Sequence, residues 1–308
     1  MTRAFFIVGP TATGKSEIAA DVAREAGAEI VSADAFQIYR GLDLLTAKPD
    51  ASTLANAPHH LIGTVPLTEQ MNPEKYRRAA ERAIEEINLR GKLAIVVGGS
   101  GLYIKALTHG LAALPESDPQ LREKLNAMSL DNLRAQLVEL DPEAAKKIDI
   151  KNRRRLVRAL EICLITGKPA SEVVAGVGDS GRPGSIIRTK GVFVFRDREE
   201  LYQRINQRVE AMFARGVIEE VRAAAVTSAT ASQMIGLREI RELLAGKKSL
   251  PQCIAEIQQA TRRYAKRQLT WFRRQSNFLP LNLSFLTHNE AVKWMSLRIL
   301  SEARTRDD

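Results

Sequence analysis

An eight-residue motif near the amino terminus restricts the fold of this chain more than any other feature. It reads Gly9-Pro10-Thr11-Ala12-Thr13-Gly14-Lys15-Ser16 and matches G-x-x-x-x-G-K-[ST] in full. An apolar run at residues 4–8 precedes it and a helical pattern at residues 15–26 follows it, which is the context that a phosphate-binding loop requires. The glycines let backbone amides wrap an oligophosphate, Lys15 adds a positive charge, and the Ser16 hydroxyl can bind Mg²⁺. The motif therefore predicts an oligophosphate ligand.

The surrounding residues predict the sheet that carries this loop. Short apolar runs at residues 4–8, 29–32 and 93–97 alternate with helical patterns at residues 15–26 and 73–90. This alternation is typical of βαβ units and a parallel sheet, in which ligands bind beyond the carboxyl ends of the strands. We therefore predict an α/β fold, with a P-loop NTPase-like core whose parallel sheet is flanked by helices, plus a helical insertion domain.

The predicted insertion begins where the strand-like runs stop. Asp118-Pro119 and Asp141-Pro142 each have the pattern of a helix cap followed by proline at the first helical position. A glycine-rich loop at residues 175–184 ends the stretch, and a further apolar run follows it. The predicted domains are a P-loop catalytic core, residues 1–113 and 186–308, and a helical insertion, residues 114–185.

The motif alone does not say which phosphate is bound. Most such loops bind ATP or GTP, so a small-molecule or nucleotide kinase is the first alternative. In many NTPases an aspartate after the next long strand completes a metal site, but here the strand at residues 93–97 runs into Gly98-Gly99-Ser100-Gly101. Asp34 follows the second strand on the ligand side, where a carboxylate could cap a helix, hold Mg²⁺ through water or accept a proton. The residues alone leave these roles open.

Composition limits the partners and the compartment. Lysine and arginine outnumber aspartate and glutamate by 46 to 36, and this surplus favours a polyanionic partner. The apolar runs are too short to cross a bilayer and the start lacks a secretory pattern, so we expect a cytoplasmic protein. Cys163 and Cys253 are expected to be small core residues. His59-His60 has no third ligand nearby and is interpreted as loop structure rather than a zinc site.

Several further segments stand in a fixed order along the chain. They are GPTATGKS at residues 9–16, SADAFQIYRGLD at 32–43, TAKP at 46–49, PHHLI at 58–62, GGSGLY at 98–103, RRLVRALE at 154–161, IG at 235–236 and TRRYAKRQLTWFR at 261–273. Together they resemble the successive signatures of the bacterial tRNA dimethylallyltransferases, also called tRNA isopentenyltransferases. The match keeps the family order from residue 9 to residue 273, so it is highly specific.

The resemblance implies a reaction and a set of roles. The substrates would be dimethylallyl diphosphate, held with Mg²⁺, and the anticodon stem-loop of tRNA, whose adenosine 3′-adjacent to the anticodon (position 37) is modified. Asp34 would be the general base for the exocyclic amine, Ser100 occupies a position tied to catalysis, and Arg208 would steady the leaving diphosphate. The diphosphate would be bound by Gly9, Pro10, Thr11, Ala12, Thr13, Gly14, Lys15 and Ser16, with Ser16 as the metal ligand. The tRNA would be contacted by Asp34, Ala35, Phe36, Gln37, Arg122, Arg154, Arg155, Leu156, Val157, Arg158, Gln233, Met234, Ile235, Gly236, Leu237 and Arg238.

A basic run in the insertion supports a macromolecular acceptor. Five of the eight residues 151–158 are basic, and no acidic residue follows until Glu161. Arg158 shares a helix face with Arg154 and with Arg155 at i+4 and i+3 spacing. We interpret this face as a contact with the RNA backbone rather than an ordinary solvated surface.

A second basic cluster lies near the carboxyl end, in a long predicted helix. Ile257, Tyr264 and Trp271 recur every seven residues there and are expected to form its buried stripe, so the aromatic rings are interpreted as core rather than as platforms for bases. The basic residues of this cluster are Arg262, Arg263, Lys266, Arg267, Arg273 and Arg274.

The chain departs from the family pattern at a few positions. Serines replace the commoner threonines at Ser16 and Ser100, and further differences occur at Ala35, Phe36, Leu44, Leu45, Gly63 and Leu237. The differences in the tRNA-contact segments leave the preference among tRNAs open, but they keep the hydroxyl and carboxylate groups that the reaction needs. Two further alternatives are a non-catalytic RNA-binding protein and an enzyme acting on free adenine nucleotides. No protein partner is indicated, and a monomer is compatible with the sequence.

Overall fold

The computed structural model describes residues 3–111, 114–149, 151–175, 188–224 and 226–304. The strands are β1 (Arg3–Val8), β2 (Glu29–Ser32), β3 (His59–His60), β4 (Ala94–Gly98), β5 (Arg188–Phe195) and β6 (Leu279–Asn282). The helices are α1 (Lys15–Ala26), α2 (Ala51–Asn56), α3 (Pro73–Leu89), α4 (Gly101–His109), α5 (Pro119–Ala127), α6 (Leu130–Leu140), α7 (Pro142–Lys147), α8 (Arg153–Thr166), α9 (Ala170–Ala175), α10 (Arg198–Ala214), α11 (Val217–Ala223), α12 (Leu237–Leu244), α13 (Leu250–Phe272) and α14 (His288–Arg304). Residues 176–184 of the predicted glycine-rich loop lie outside the described residues.

The strands form one parallel sheet in the order β3-β2-β4-β1-β5-β6. This confirms the predicted α/β fold and the strands expected at residues 4–8, 29–32 and 93–97. The two edge strands, β3 and β6, were missed because each is short and only partly buried. A buried parallel strand is recognisable by its continuous apolar run, and these edges have none.

Side chains of the central strand alternate between the two faces of the sheet. Phe6 and Val8 belong to one buried cluster, which also contains residues of α3, α4, α12 and α13. Phe5 and Ile7 belong to another, which contains residues of α1 and α14. The sheet is thus covered by helices on both faces, as parallel sheets require.

Two glycines set the length of α1. Gly14 at its N-cap and Gly27 at its C-cap both adopt left-handed backbone conformations, with φ of 87° and 61°. Glycine favours this conformation because it has no Cβ to clash with the backbone. The helix therefore begins directly at Lys15, which fixes that side chain at the carboxyl end of β1.

The chain divides into two compact units, Met1–Thr108 with Ile186–Asp308, and His109–Ser185. The second unit is helical and has its own core, which includes Leu125, Leu133, Leu137, Leu156 and Leu160. Its predicted caps are confirmed, since Asp118 accepts hydrogen bonds from Gln120 and Leu121, and Asp141 accepts one from Ala144. In the residues described, no helix is long and apolar enough to span a membrane. Cys163 and Cys253 are both buried, as expected.

The adjacent histidines are a correction to the sequence interpretation. They form β3 and not a loop, and His60 Nε2 lies 2.8 Å from Oε2 of the buried Glu29. Arg90 and Lys92 pair with the same carboxylate at 2.7 and 3.1 Å. Burial would raise the pKa of Glu29, but hydrogen bonds from Arg90, His60 and Lys92 lower it to about 2. His60 therefore shares the Glu29 carboxylate with Arg90 and Lys92, and this joins the edge of the sheet to the end of α3.

Candidate active site

The phosphate-binding loop lies at the carboxyl end of β1, between the ends of β4 and β5. Gly9 N–H donates to Gly98 O at 3.2 Å. A Cβ on Gly9 would lie 2.1 Å from Val194 O, so only glycine allows this approach of the backbones. Ala12 and Gly14 have φ of 64° and 87°, and these left-handed residues curl the loop towards the start of α1. Left-handed residues of this kind are the ones from which an anion-binding nest of backbone amides is built.

Lys15 is the central cation of this loop. Its side chain is half-buried, and Nζ donates to Pro10 O at 3.2 Å. Burial lowers the pKa of Lys15 to about 8, although the nearby charge of Asp34 opposes the change. An ammonium group held at this cost gains strongly from an anionic ligand.

Three arginines that follow β5 converge on successive residues of the loop. Arg208 Nη1 donates to Thr11 Oγ1 at 2.8 Å, Arg204 Nε donates to Ala12 O at 2.9 Å, and Arg196 Nε donates to Thr13 O at 2.8 Å. Arg204 and Arg208 lie one turn apart on α10 and therefore share a face. These contacts surround the loop with guanidinium groups, which match phosphate geometry better than ammonium does.

Arg208 differs from Arg196 and Arg204 in one buried side-chain nitrogen. Its Nε is buried and has no hydrogen-bond partner among the residues that the structure describes. Burial lowers the pKa of Arg208, and the charge of Asp34 opposes this. Because arginine stays charged in proteins, a buried donor of this kind is satisfied best by an anion.

Asp34 and Ser100 lie on the loops that follow the two neighbouring strands. Asp34 Oδ1 accepts from the amides of Phe36 and Gln37 at 2.9 and 3.3 Å, while Oδ2 has no donor within the described ranges. Ser100 is buried, and its Oγ accepts from Ala35 N at 2.9 Å. One carboxylate oxygen is thus fixed by the turn, and the other is left to accept a proton.

Close backbone packing holds these two loops together. Ser100 N–H donates to Ala33 O at 3.2 Å, and a Cβ on Gly98 would lie 2.2 Å from the same carbonyl oxygen. Gly98, the last residue of β4, is therefore required for a steric reason, because a side chain there would clash with the Ala33 carbonyl. This packing places Ser100 next to the turn that carries Asp34.

Helix α13 closes the other side of the site and corrects the predicted stripe. Its buried face consists of Cys253, Ile257, Thr261, Ala265, Gln268 and Phe272. Tyr264 and Trp271 are only half-buried. Burial raises the pKa of Tyr264, the charge of Asp34 raises it further, and hydrogen bonding with Ser100 and Gln268 opposes both. Tyr264 therefore borders the site, whereas Trp271 packs against Gly101 and the core.

Gln268 was not identified from the sequence, although it contacts both glycine loops. Its Oε1 accepts from Thr11 N at 3.0 Å, and its Nε2 donates to Gly99 O at 2.8 Å. Arg196, Arg204 and Tyr264 were missed as well. The i+4 spacing of Arg204 and Arg208 was a usable signal, since the resemblance already implied that Arg208 contacts the diphosphate. Nothing in the sequence placed α13 beside the loop.

The other residues implied to bind tRNA in this unit have mixed exposure. Gln37 Nε2 donates to Ala47 O at 2.8 Å, so its amide is used inside the protein. Met234 and Leu237 are buried core residues, so their side chains cannot form the expected surface. Gln233 and Arg238 are exposed; Ala35, Phe36 and Ile235 are half-buried; Gly236 is buried.

In the helical unit, part of the basic segment that was predicted to contact RNA is used inside the protein. Leu156 and Val157 are buried in its core. Arg158 pairs with Glu161, which is fully buried, and also donates to Pro115 O at 2.8 Å. Arg122 pairs with the same carboxylate at 3.0 Å. Arg158 thus belongs to an internal ion pair.

Arg154 and Arg155 are different from Arg158. Both are exposed, and within the described parts of the chain neither forms an ion pair. Of the three arginines predicted to form one helix face, Arg154 and Arg155 are therefore the two that are exposed to solvent.

The Ser16 hydroxyl is the candidate protein ligand for magnesium. Among the described residues there is no cluster of three histidine, cysteine, aspartate or glutamate side chains that could hold a metal by itself. The Ser16 hydroxyl has no hydrogen-bond partner in the portion of the chain that is described. Mg²⁺ keeps several waters and is usually bound through one or two protein oxygens plus substrate phosphates, so a single hydroxyl beside a diphosphate site fits it.

The chain is similar to known proteins over most of its length. The sequence profile described as IPP transferase matches residues 37–275. A tRNA dimethylallyltransferase of Akkermansia muciniphila is 42% identical over 298 residues, covering 96% of this chain and 98% of the relative. One from Geobacter sulfurreducens is 43% identical over 281 residues, covering 89% of each chain.

Solved structures show the same likeness. A tRNA isopentenylpyrophosphate transferase from Bacillus halodurans matches with a TM-score of 0.71 at 32% identity, covering 100% of this chain and 98% of the other. A eukaryotic dimethylallyltransferase acting on tRNA matches with a TM-score of 0.80 at 25% identity, covering 99% and 80%.

Proposed function

The chain belongs to the IPP transferase family, and on that premise we propose that it transfers a dimethylallyl group from dimethylallyl diphosphate to N6 of the adenosine 3′-adjacent to the anticodon, position 37 of tRNA. The observation that carries the proposal is a cationic phosphate loop beside a carboxylate with one free oxygen. The kinase alternative is not favoured, since the homologous proteins are tRNA dimethylallyltransferases and β4 ends in glycines where many NTPases have a metal-binding aspartate.

The proposed chemistry assigns each group a task. The adenine N6 attacks C1 of the dimethylallyl group, the bond from C1 to the diphosphate oxygen breaks, and the N6 proton passes to Asp34 Oδ2. An exocyclic amine is a poor nucleophile, so a positioned carboxylate helps. Negative charge grows on the leaving diphosphate, and Lys15, Arg208 and the loop amides stabilise it. Ser100, through Ala35, supports the turn that aims Asp34.

Magnesium is part of this proposal. Ser16 would hold it, and its charge would help to neutralise the diphosphate when bound. We further propose that the helical insertion binds tRNA, and that the protein acts in the cytoplasm, where tRNA is available to it.

A transfer assay tests the proposed function directly. The protein is incubated with labelled dimethylallyl diphosphate and either total tRNA or AMP, and separately with labelled ATP. We expect label in tRNA, at the adenosine beside the anticodon. Label in AMP alone would identify an enzyme of free nucleotides, and phosphoryl transfer from ATP to a nucleoside or metabolite would identify a kinase.

Lys15 gives the proposal a pH dependence. Its pKa of about 8 means that the ammonium form, which the diphosphate binds, declines above that pH. Between this pKa and the higher pKa of the complex, affinity for dimethylallyl diphosphate should fall by up to about tenfold per pH unit. From about pH 7 to pH 8, where the terminal phosphate is itself largely ionised, affinity should change little. Calorimetry across this range measures the effect, with Lys15→Arg as the control that stays charged. Equal affinity at high and low pH in the parent would contradict the role of Lys15.

Arg154 and Arg155 give a salt dependence. If both contact tRNA phosphates, replacing them with alanine should lower the slope of log affinity against log salt by about 1.4–1.8. Arg158 is kept, because its loss would leave the buried Glu161 short of a partner. The matched control is Arg134→Ala with Lys147→Ala, two exposed basic residues of the same unit. Equal slopes in both double variants would place the RNA elsewhere.

A further inference from the structure

Gln268 forms a bridge that the reaction as described does not use. The residue is buried within α13, and its amide is satisfied at both ends by backbone groups of the two glycine loops. The Thr11 N–H donates to Gln268 Oε1 and is therefore already used within the protein. The orientation of the amide is also fixed, because reversing it would set a donor against the Thr11 N–H and an acceptor against Gly99 O.

Thr11 connects this bridge to the arginine of the site. Its backbone is held by Gln268, while its Oγ1 accepts from Arg208 Nη1 at 2.8 Å. The contact anchors one end of the guanidinium. The buried Nε at the other end has no partner among the described residues. Arg208 is thus held at one nitrogen and able to donate from another.

We propose that Gln268 is a positioning residue for the transfer step, which acts by fixing Thr11 so that Thr11 Oγ1 holds the Arg208 guanidinium towards the leaving diphosphate. The inference rests on the proposed function and extends it to two residues with distinct tasks. A long arginine side chain loses considerable rotamer freedom when it is fixed, and a preformed anchor removes that cost from the reaction. Since charge develops on the diphosphate only as the bond breaks, loss of the anchor should affect turnover more than substrate binding.

The variants follow from the hydrogen bonds. Thr11→Val keeps the shape and the backbone amide but removes the acceptor for Arg208, whereas Thr11→Ser keeps the hydroxyl. Gln268→Met removes both ends of the bridge at similar volume. We expect Thr11→Val and Gln268→Met to lower kcat by roughly 10-fold or more, with the KM for dimethylallyl diphosphate changed by less than about threefold. Thr11→Ser should recover most of the loss.

A double-mutant cycle with Arg208→Lys separates this role from a structural one. If Thr11 and Gln268 act through Arg208, their substitutions should cost little more once Arg208 is lysine. Additive losses, or a loss confined to KM, would overturn the inference. The parent enzyme distinguishes the two proposals: no transfer to tRNA by the parent would refute the function and the inference together, while an active parent with an additive cycle would refute the inference alone.

Discussion

Replacing Asp34 with asparagine is expected to lower kcat by about 10²–10⁴-fold, the usual span for general-base catalysis. Asparagine keeps an oxygen that can accept from the amides of Phe36 and Gln37, so the turn after β2 should survive. It has no basic oxygen to replace Oδ2. The proton on the adenine amine then has no acceptor during transfer, while contacts with the RNA backbone are unaffected.

Single-turnover transfer with excess enzyme measures this loss, and equilibrium binding of tRNA measured in parallel should change by less than about threefold. Glu85→Gln is the matched control, since it removes the same charge from an exposed position of α3. An Asp34→Asn enzyme as fast as the parent would show that another group accepts the proton. A weakened affinity for tRNA with normal turnover would make Asp34 a binding residue.

Arg208→Lys is expected to lower kcat by about 10²–10³-fold, which is typical of losing one preorganised donor at a developing anion. Lysine keeps the charge but offers one compact head group. It cannot both reach Thr11 Oγ1 and donate from the position of the buried Nε. The loss should therefore show in the chemical step, when charge accumulates on the diphosphate.

Protection by inorganic diphosphate provides a second measurement for the same variant. A bound anion would pair with the buried guanidinium and so stabilise the folded protein. Diphosphate should therefore raise the Tm of the parent more than that of Arg208→Lys. Arg215→Lys, an exposed position just after α10, is the control and should match the parent in both assays. An unchanged kcat in Arg208→Lys would remove Arg208 from the leaving-group site.

Local signals accounted for the parts of the molecule that were predicted well. The loop motif, the apolar strands and the proline caps are each readable within a few residues, and the structure contains all of them. The contacts that complete the site are distant in sequence. Arg196 reaches Thr13 across 183 residues, and Gln268 reaches Thr11 across 257. No periodicity in α13 indicates that a glutamine on its buried face has two backbone partners.

Burial was the other quantity that the sequence did not reveal. The spacing of Arg158 and Glu161 was visible, but only the fold shows that this carboxylate is fully enclosed. The same holds for Tyr264, whose seven-residue spacing from Ile257 suggested core packing. The buried face of α13 contains Thr261, Ala265 and Gln268, so Tyr264 lies beside that face and borders the site.

The enclosed Glu161 also constrains how the helical unit can diverge. Arg122 and Arg158 neutralise it from two helices, and losing either leaves a buried charge incompletely paired, a change that costs several kcal/mol in other proteins. Selection should therefore reject single substitutions here and accept joint ones, such as an apolar residue for Glu161 together with changes at both arginines. Arg154 and Arg155 form no ion pair with the described residues, so replacing either one leaves no buried charge unpaired. If Arg154 and Arg155 contact RNA as proposed, these two positions can change one at a time when the RNA target changes. Glu161, Arg122 and Arg158 would instead be kept or replaced together.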